Sequence, residues 1–207
     1  MRVVLKYLLP ALCLCAVGCA DGAGCGEKPW EGPAADLSRG GLTVSDNGRH
    51  LSYRDGTPFV WMGDTAWELF GRLDMDEAVP YLEDRRAKAF TVVQAVILKE
   101  LDTIGQPNRN GIVALRGTDP LAISEDYLRW VDDVIAIAAE KGLYVGLLPT
   151  WGDKVDRQWG RGPVIFDTHN AGAYGRMLGR RYRDAANIVW IIGGDRSGGG
   201  DNNAVWN

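Results

Sequence analysis

Four short apolar runs constrain the fold of this chain more than any other feature of its sequence. They lie at residues 59–62, 90–98, 143–148 and 188–192. A strand that is buried on both faces of a parallel sheet is apolar along most of its length, whereas a half-buried strand alternates apolar and polar residues. The runs do not alternate, so the sequence predicts four strands of a parallel sheet.

Helical segments separate these runs, and the sequence predicts them at residues 74–88, 124–141 and 170–183. Asp74 and Ser124 are suitable N-caps for the first two, and Gly142 is a suitable stop signal. An alternation of strands and helices predicts parallel pairing with right-handed crossovers.

The predicted fold class is α/β, a (β/α)8 TIM barrel of which about the first four βα units are present. No Gly-x-Gly-x-x-Gly follows the first strand, which disfavours a dinucleotide-binding fold. The chain has 207 residues, and a complete barrel usually needs roughly 250. We therefore expect residues 42–207 to be the N-terminal half of a catalytic barrel, and we expect this fragment alone to be inactive.

Composition narrows the classes of ligand. The chain is 46% hydrophobic and 24% charged, which is typical of a folded domain. Its net charge is −4 and it lacks basic clusters, so we expect no nucleic-acid partner. The four cysteines (Cys13, Cys15, Cys19 and Cys25) lie near the N-terminus, and there are two histidines. The sequence therefore predicts no metal site and no cofactor.

The N-terminus has the layout of a bacterial lipoprotein signal peptide, predicted over residues 1–18. Arg2 and Lys6 precede an apolar run at residues 7–17 that is too short to span a bilayer. The sequence Ala-Val-Gly-Cys at residues 16–19 resembles a lipobox, which predicts lipidation of Cys19; an ordinary cleaved signal peptide is the alternative. We expect a flexible tether at residues 19–41, anchorage to a membrane through the lipid, and location in the bacterial cell envelope, periplasmic or at the cell surface.

Aromatic and polar side chains recur where the predicted strands end, which is where the active site of a barrel forms. The candidate substrate-binding residues are Asp64, Trp67, Gln94, Trp151, Asp153 and Arg196, and Asp195 supplies a further carboxyl group at these strand ends. Carboxylates accept hydrogen bonds from sugar hydroxyls, and indole rings pack against the apolar faces of sugar rings. Glycoside hydrolysis needs two carboxyl groups that flank one bond. Lys99, Glu100, Asp102 and Lys154 belong to the same polar clusters.

These residues also have structural interpretations. Asp64 lies beside a sequence, Thr65 to Glu68, that fits a helix capping box. Asp195 and Arg196 could form a structural ion pair at a turn, and Trp67 and Trp151 could pack in the core rather than stack on sugar. Gly193 and Gly194 are expected to let the backbone bend near the site. Two further tryptophans lie inside predicted strands and are expected in the core, namely Trp61 and Trp190.

Four segments together resemble the apiosidase-like glycoside hydrolases. They are FVWMGDTAWELF at residues 59–70, VQAV at 93–96, GLYVGLLPTWGDK at 142–154 and NIVWIIGGDR at 187–196. The resemblance implies a (β/α)8 barrel, often with a small β-rich domain after it, in bacterial enzymes that release apiose from pectic side chains. It implies a general acid/base after the fourth strand, which is Asp195, and a nucleophile after the seventh. It also implies sugar contacts at Asp64, Gln94 and Asp153.

The leading hypothesis is a lipid-anchored glycoside hydrolase that acts on plant cell-wall pectic glycans, with an oligosaccharide or polysaccharide substrate. The first alternative is a non-catalytic carbohydrate-binding surface lipoprotein on a degenerate barrel. The second is a hydrolase or lyase of another class, because one fold supports many chemistries.

Overall fold

The computed structural model describes residues 30–100, 104–158, 160–196 and 202–206. The predicted signal peptide, the predicted lipid site at Cys19 and part of the predicted tether lie outside these residues. None of the described helices is long and apolar enough to cross a membrane. In chain order the strands and α-helices are β1 (Leu42–Val44), β2 (Leu51–Tyr53), β3 (Gly63–Thr65), α1 (Leu69–Arg72), α2 (Met75–Ala87), β4 (Val92–Leu98), α3 (Glu125–Glu140), β5 (Tyr144–Thr150), α4 (Ala171–Arg181), β6 (Ile188–Trp190) and α5 (Asn203–Trp206).

Strands β3, β4, β5 and β6 form one parallel sheet in sequence order. The longest pairing joins β4 to β5 and runs from Val92 opposite Tyr144 to Leu98 opposite Thr150. Helices α2, α3 and α4 connect successive strands. The predicted order of alternating parallel strands and helices is confirmed, with boundaries that differ by a few residues.

Alternate residues of β4 face two different apolar layers. Val93, Ala95 and Ile97 belong to the large core that also contains the helices, whereas Val92 and Val96 belong to two smaller clusters. All five residues have no exposed surface. Burial on both faces explains why this strand is apolar along its length rather than alternating. The face with the smaller clusters is the inner face of the sheet.

Side-chain caps fix the starts of the two longest helices where the sequence predicts them. The Asp74 carboxylate accepts a hydrogen bond from the Glu77 N–H at 3.1 Å, and the Ser124 hydroxyl accepts one from the Tyr127 N–H at 3.4 Å. Each such cap stabilises a helix by about 1 kcal/mol. Helix α3 buries one apolar face, and each fully buried large side chain contributes about 1.5–3 kcal/mol. Its buried residues are Tyr127, Leu128, Trp130, Val131, Val134, Ile135 and Ala138.

The hairpin of β1 and β2 covers the inner face at the amino-terminal end of the sheet. The two strands pair antiparallel, and Gly48 in the turn between them has φ +68°. Tyr53 of β2 packs in one cluster with Val92 and Tyr144, which are the first residues of β4 and β5. The inner face is therefore covered at the end opposite to the carboxyl ends of the strands.

The segment before the hairpin is held at the same end. The N–H groups of Trp30 and Ala34 donate to the carbonyls of Ala87 and Lys141, at 3.2 and 3.0 Å. These carbonyls lie at the last residue of α2 and just after α3, near the amino ends of β4 and β5. Residues 30–35 are therefore attached at the amino-terminal end of the sheet.

The predicted first strand is displaced along the chain. Residues 59–62 do not form it, and β3 begins at Gly63 instead. Before that point the backbone is held by a side chain, because the Thr91 hydroxyl donates to the Val60 carbonyl at 2.6 Å and accepts from the Met62 N–H at 2.9 Å. Val60 is 68% exposed, so this apolar residue is not part of a buried strand.

The core positions predicted for two tryptophans are wrong. Trp61 and Trp190 are 38% and 39% exposed. Trp61 precedes β3 and does not lie in it. Trp190 lies on the helix-facing side of β6, where its ring contacts Tyr182 at 6.2 Å between centroids. Among the described strands, β6 is an edge strand whose one neighbour is β5. Its helix-facing side is therefore less covered than that of β4 or β5.

Candidate active site

Two tryptophans meet above the inner face at the carboxyl-terminal end of the sheet. The ring centroids of Trp67 and Trp151 are 5.2 Å apart, with the planes tilted by 52°. Both rings pack on a cluster that contains Val96 of β4 and Leu148 of β5. Trp151 is 9% exposed and Trp67 is intermediate in exposure, so this pair combines a packing role with a partly open aromatic surface.

The backbone that leads to Asp195 crosses this aromatic surface. Gly193 and Gly194 have φ +114° and +127°, which side-chain-bearing residues rarely adopt, so the predicted backbone bend is present. A Cβ on Gly194 would lie 3.1 Å from the Gly152 nitrogen and 3.4 Å from the Trp151 ring. Glycine thus lets the chain pass close to Trp151, and the Asp195 side chain that follows is 44% exposed.

Arg196 is held in a buried position behind Asp195. Its side chain is 1% exposed, and its Nη1 donates to Asp195 Oδ1 at 2.5 Å. Its Nε donates to the Asp156 carbonyl at 2.8 Å and its Nη2 donates to the Arg157 carbonyl at 3.3 Å. The direct sugar contact predicted for Arg196 does not fit this position, because the guanidinium is covered by the loop. The ion pair that was the structural interpretation of this dipeptide is present.

Asp153 is likewise buried and paired. It is 1% exposed, and its Oδ1 accepts from the ammonium of the fully buried Lys154 at 2.8 Å. Its Oδ2 accepts from the Gly162 N–H at 3.1 Å, while Lys154 donates to the Gly162 carbonyl at 2.9 Å. These bonds hold the loop that follows β5, so the predicted sugar contact at Asp153 does not fit its burial.

Gln94 lies on the inner face of β4, as its alternation with Val92 and Val96 requires. A Cβ on Gly63 would lie 3.1 Å from its Nε2, and a Cβ on Gly146 would lie 3.2 Å from its Cγ. The side chain therefore occupies the space that two glycines of the neighbouring strands leave open. It is partly exposed and lies one layer below the aromatic pair.

Asp64 lies away from the other predicted site residues. It is the middle residue of β3 and faces helix α2, where its Oδ2 accepts hydrogen bonds from the Tyr81 hydroxyl and the Arg85 guanidinium, each at 2.8 Å. Burial raises the pKa of Tyr81, and the bond to Asp64 raises it further, so this hydroxyl stays a donor. These contacts join the strand to the helix. The capping box considered for this segment is also absent, because α1 begins after Glu68, whose side chain makes no cap.

Two carboxyl groups that were not among the predicted site residues also lie at this edge. Glu68 and Glu100 line a cleft of about 340 Å³ together with Trp67 and Tyr81. Burial raises the pKa of Glu100, and the negative charges of Glu68, Asp153 and Asp195 raise it further. The sequence signal for Glu100 was its position two residues beyond β4. Glu68 gave no such signal, because it resembled a helix cap.

A buried lysine lies next to this cleft. Lys99 Nζ donates to the Gly71 carbonyl at 2.7 Å and is 3.7 Å from Glu68 Oε2. Burial lowers the pKa of Lys99, and the charge of Glu68 opposes that shift. Lys99 therefore holds α1 in place beside the cleft. Its positive charge also offsets part of the negative charge of Glu68.

The site as a whole presents an aromatic surface with carboxyl groups beside it. Trp67, Gln94, Trp151 and Asp195 are brought together on the inner side, Asp153 and Arg196 support them from behind, and Asp64 is separate. No group of three or more His, Cys, Asp or Glu side chains within the described ranges is placed to hold a metal ion. This arrangement suits proton transfer to and from a bound sugar.

Known proteins that resemble this chain are glycoside hydrolases. The family described as "Apiosidase-like, catalytic domain" matches residues 45–207. A solved structure named "Glycoside hydrolase" is 36% identical, with a TM-score of 0.72, and the match covers 83% of this chain and 38% of that one. A glycoside hydrolase family 5 structure from Bacteroides vulgatus is 31% identical, with a TM-score of 0.72, and the match covers 84% of this chain and 36% of that one.

A more distant structure, an endo-1,4-beta-mannanase from Rhizomucor miehei, shares the fold at 16% identity with a TM-score of 0.51; the match covers 74% of this chain and 48% of that one. No curated protein matches the sequence. The predicted (β/α)8 barrel class is confirmed by these similarities together with the parallel sheet. The chain spans less than half the length of each of the solved structures described above.

Proposed function

Because this chain belongs to the family of apiosidase-like catalytic domains, we propose that the complete protein is a glycoside hydrolase. In this proposal it cleaves pectic glycans of the plant cell wall and releases apiose, with Asp195 as the general acid/base. The observation that carries the proposal is the position of Asp195. Its side chain is 44% exposed and follows a glycine pair that passes over Trp151 at the carboxyl-terminal end of the sheet.

The chemistry requires two carboxyl groups on opposite sides of the scissile bond. Asp195 donates a proton to the glycosidic oxygen as the bond to the anomeric carbon breaks. A second carboxylate, which we expect from the family resemblance to follow the seventh strand and so to lie outside this chain, attacks that carbon. Asp195 then takes a proton from the water that hydrolyses the glycosyl-enzyme. In this proposal the present chain supplies the acid/base half of the site and is inactive without the other half.

The remaining groups of the site have roles in binding. Trp67 and Trp151 offer apolar ring faces against which a sugar packs, and the backbone at Gly194, just before Asp195, passes close to the Trp151 ring. Glu68 and Glu100 line the adjoining cleft and can bond sugar hydroxyls. Gln94 lies deeper, where a hydroxyl that points into the barrel would meet it. We also propose that a lipid on Cys19 anchors the enzyme in the bacterial cell envelope.

The test is Asp195→Asn in the complete protein, with release of sugar from a pectic glycan measured by chromatography. The variant removes the exchangeable carboxyl proton but keeps the shape of the side chain. We expect turnover to fall by about 10²–10⁴-fold, which is the usual contribution of a general acid/base. Circular dichroism and the melting temperature should stay close to those of the unaltered protein.

Asp133→Asn is the matched control, because Asp133 is an exposed carboxylate on α3 that lies in none of the site contacts. It should leave the rate unchanged. Full activity of Asp195→Asn would reject the acid/base role. Binding of the glycan without hydrolysis by the unaltered complete protein would favour a carbohydrate-binding protein instead.

A further inference from the structure

We propose that Arg196 is a positioning residue that orients the Asp195 carboxyl group and stabilises the carboxylate that forms when Asp195 gives up its proton. This inference rests on the proposed function, since it assigns a role in the same reaction. Asp195 and Arg196, which are neighbours in sequence, differ sharply in exposure. The Asp195 side chain is 44% exposed, whereas the Arg196 side chain that bonds it is 1% exposed.

The guanidinium of Arg196 is held at three of its nitrogens. Nη1 donates to Asp195 Oδ1, Nε donates to the Asp156 carbonyl, and Nη2 donates to the Arg157 carbonyl. Two of these partners are backbone groups of the loop after β5. A planar guanidinium with donors in fixed directions can make all three bonds at once, and a lysine ammonium cannot reproduce that geometry.

The space around this side chain is shaped for it. A Cβ on Gly152 would collide with the Arg196 side chain, and a Cβ on Gly160 would lie 2.6 Å from its Nη2. Both glycines therefore leave room that the arginine fills. Close packing on two sides restricts the arginine to few rotamers, so the direction of its Nη1 donor is fixed.

The loop that supplies the two carbonyls is itself anchored from below. The ion pair of Asp153 and Lys154 is almost fully buried, and both side chains bond the backbone of Gly162. These bonds tie the first part of the loop to residue 162, across the segment that carries the Asp156 and Arg157 carbonyls. The Asp153–Lys154 pair thus anchors the loop whose carbonyls hold Arg196, and Arg196 in turn bonds Asp195.

The chemical consequence follows from where charge develops. When the O–H bond of Asp195 breaks, the proton goes to the glycosidic oxygen and the electron pair stays on the carboxylate. Arg196 keeps its positive charge throughout and lies beside this new negative charge. It therefore stabilises the carboxylate that proton donation leaves, and its fixed donor holds the carboxyl group in one orientation for the transfer. The effect matters most for leaving groups that need a proton.

The experiment measures the dependence on the leaving group in the complete protein. The substrates are the phenyl and the 2,4-dinitrophenyl glycosides of the released sugar, which is apiose in the proposal. Dinitrophenolate departs without protonation, whereas phenolate needs it. We expect Arg196→Gln to lower kcat/KM for the phenyl glycoside on the order of 10²-fold, and to lower it for the dinitrophenyl glycoside less than about 10-fold.

Arg196→Lys is the second variant, since it keeps the charge and most of the volume and should fold where Arg196→Gln does not. It should show the same selective loss to a smaller degree. Arg129→Lys, at an exposed arginine on α3, is the control and should change neither rate. Equal losses on both substrates would assign Arg196 a purely structural role and overturn the inference, as would full activity of both variants.

Asp195→Asn separates this inference from the proposed function. If Asp195→Asn itself shows no selective loss on the phenyl glycoside, the acid/base assignment fails. If it does and neither Arg196 variant does, the positioning role alone fails. In the Asp195→Asn background, Arg196→Lys should cause no further selective loss, because the group through which it acts is gone.

Discussion

The buried ion pair beneath the site makes a quantitative prediction about stability. Lys154 is fully buried and its Nζ lies 2.8 Å from Asp153 Oδ1 and 2.9 Å from the Gly162 carbonyl. Lys154→Met keeps the length and the apolar part of the side chain and removes the ammonium. The Asp153 carboxylate then stays buried at 1% exposure without the positive charge beside it.

The expected cost follows from the burial of this carboxylate. Removal of one partner from a buried ion pair usually costs about 3–5 kcal/mol, because the charge that stays behind is neither solvated nor neutralised. The double variant Asp153→Asn/Lys154→Met removes both charges. It should recover more than half of the loss, since a neutral amide can still accept the Gly162 N–H and carries no uncompensated charge.

The assay is urea denaturation of the complete protein at neutral pH, followed by tryptophan fluorescence. Lys88→Met is the matched control, because Lys88 pairs with Asp84 at 2.8 Å in an exposed position, with the two side chains 58% and 42% exposed. That substitution should cost less than about 1 kcal/mol. A loss below about 1 kcal/mol for Lys154→Met would refute the reasoning, and so would a double variant that is less stable than the single one.

Two carboxyl groups give predictions that depend on pH. Hydrogen bonds from Arg86 and then from Lys141 lower the pKa of Glu83 to about 2 from 4.5. Their stabilising effect is therefore complete above pH 4.5 and is lost as the pH falls towards 2, so Glu83→Gln should flatten the decline of the melting temperature over this range; an unchanged slope would contradict this. Burial and then the charge of Glu68 raise the pKa of Glu100, so the folded state loses stability as the pH rises through the ordinary carboxyl range. Glu100→Gln should raise the melting temperature at neutral pH and not at pH 4; equal shifts at both would show that ionisation is not the cause.

The sequence predicted the elements whose causes are local. Helices α2 and α3 begin beside Asp74 and Ser124 because those side chains cap the adjacent turns, and caps depend on a few neighbouring residues. Gly193 and Gly194 were expected to permit a bend for the same kind of reason, and both have positive φ. The strands β4 and β5 were evident from continuous apolar runs.

The parts that the sequence could not predict depend on partners that are distant in the chain. From the sequence alone, Asp153 and Arg196 are residue types that often bind sugars. Their burial depends on glycines and carbonyl groups of the loop that covers them. The first strand begins later than predicted because of Thr91. Its hydroxyl hydrogen-bonds the backbone of Val60 and Met62, just before the pairing of β3 with β4 begins. The Asp64 side chain faces helix α2 rather than the site, because it accepts hydrogen bonds from Tyr81 and Arg85.

The attachment of residues 30–35 at the amino-terminal end of the sheet puts this segment and the candidate site at opposite ends of the strands. Trp30 and Ala34 donate hydrogen bonds to carbonyls at the carboxyl ends of α2 and α3, near the start of β4 and β5, while Trp67 and Trp151 lie at the far end of the same strands. Residue 30, from which the chain continues towards the proposed lipid on Cys19, thus lies on the side of the sheet remote from the cleft. An enzyme held in this way would face outward from its own membrane, and a long polymer could reach the cleft without passing between the enzyme and the lipid surface.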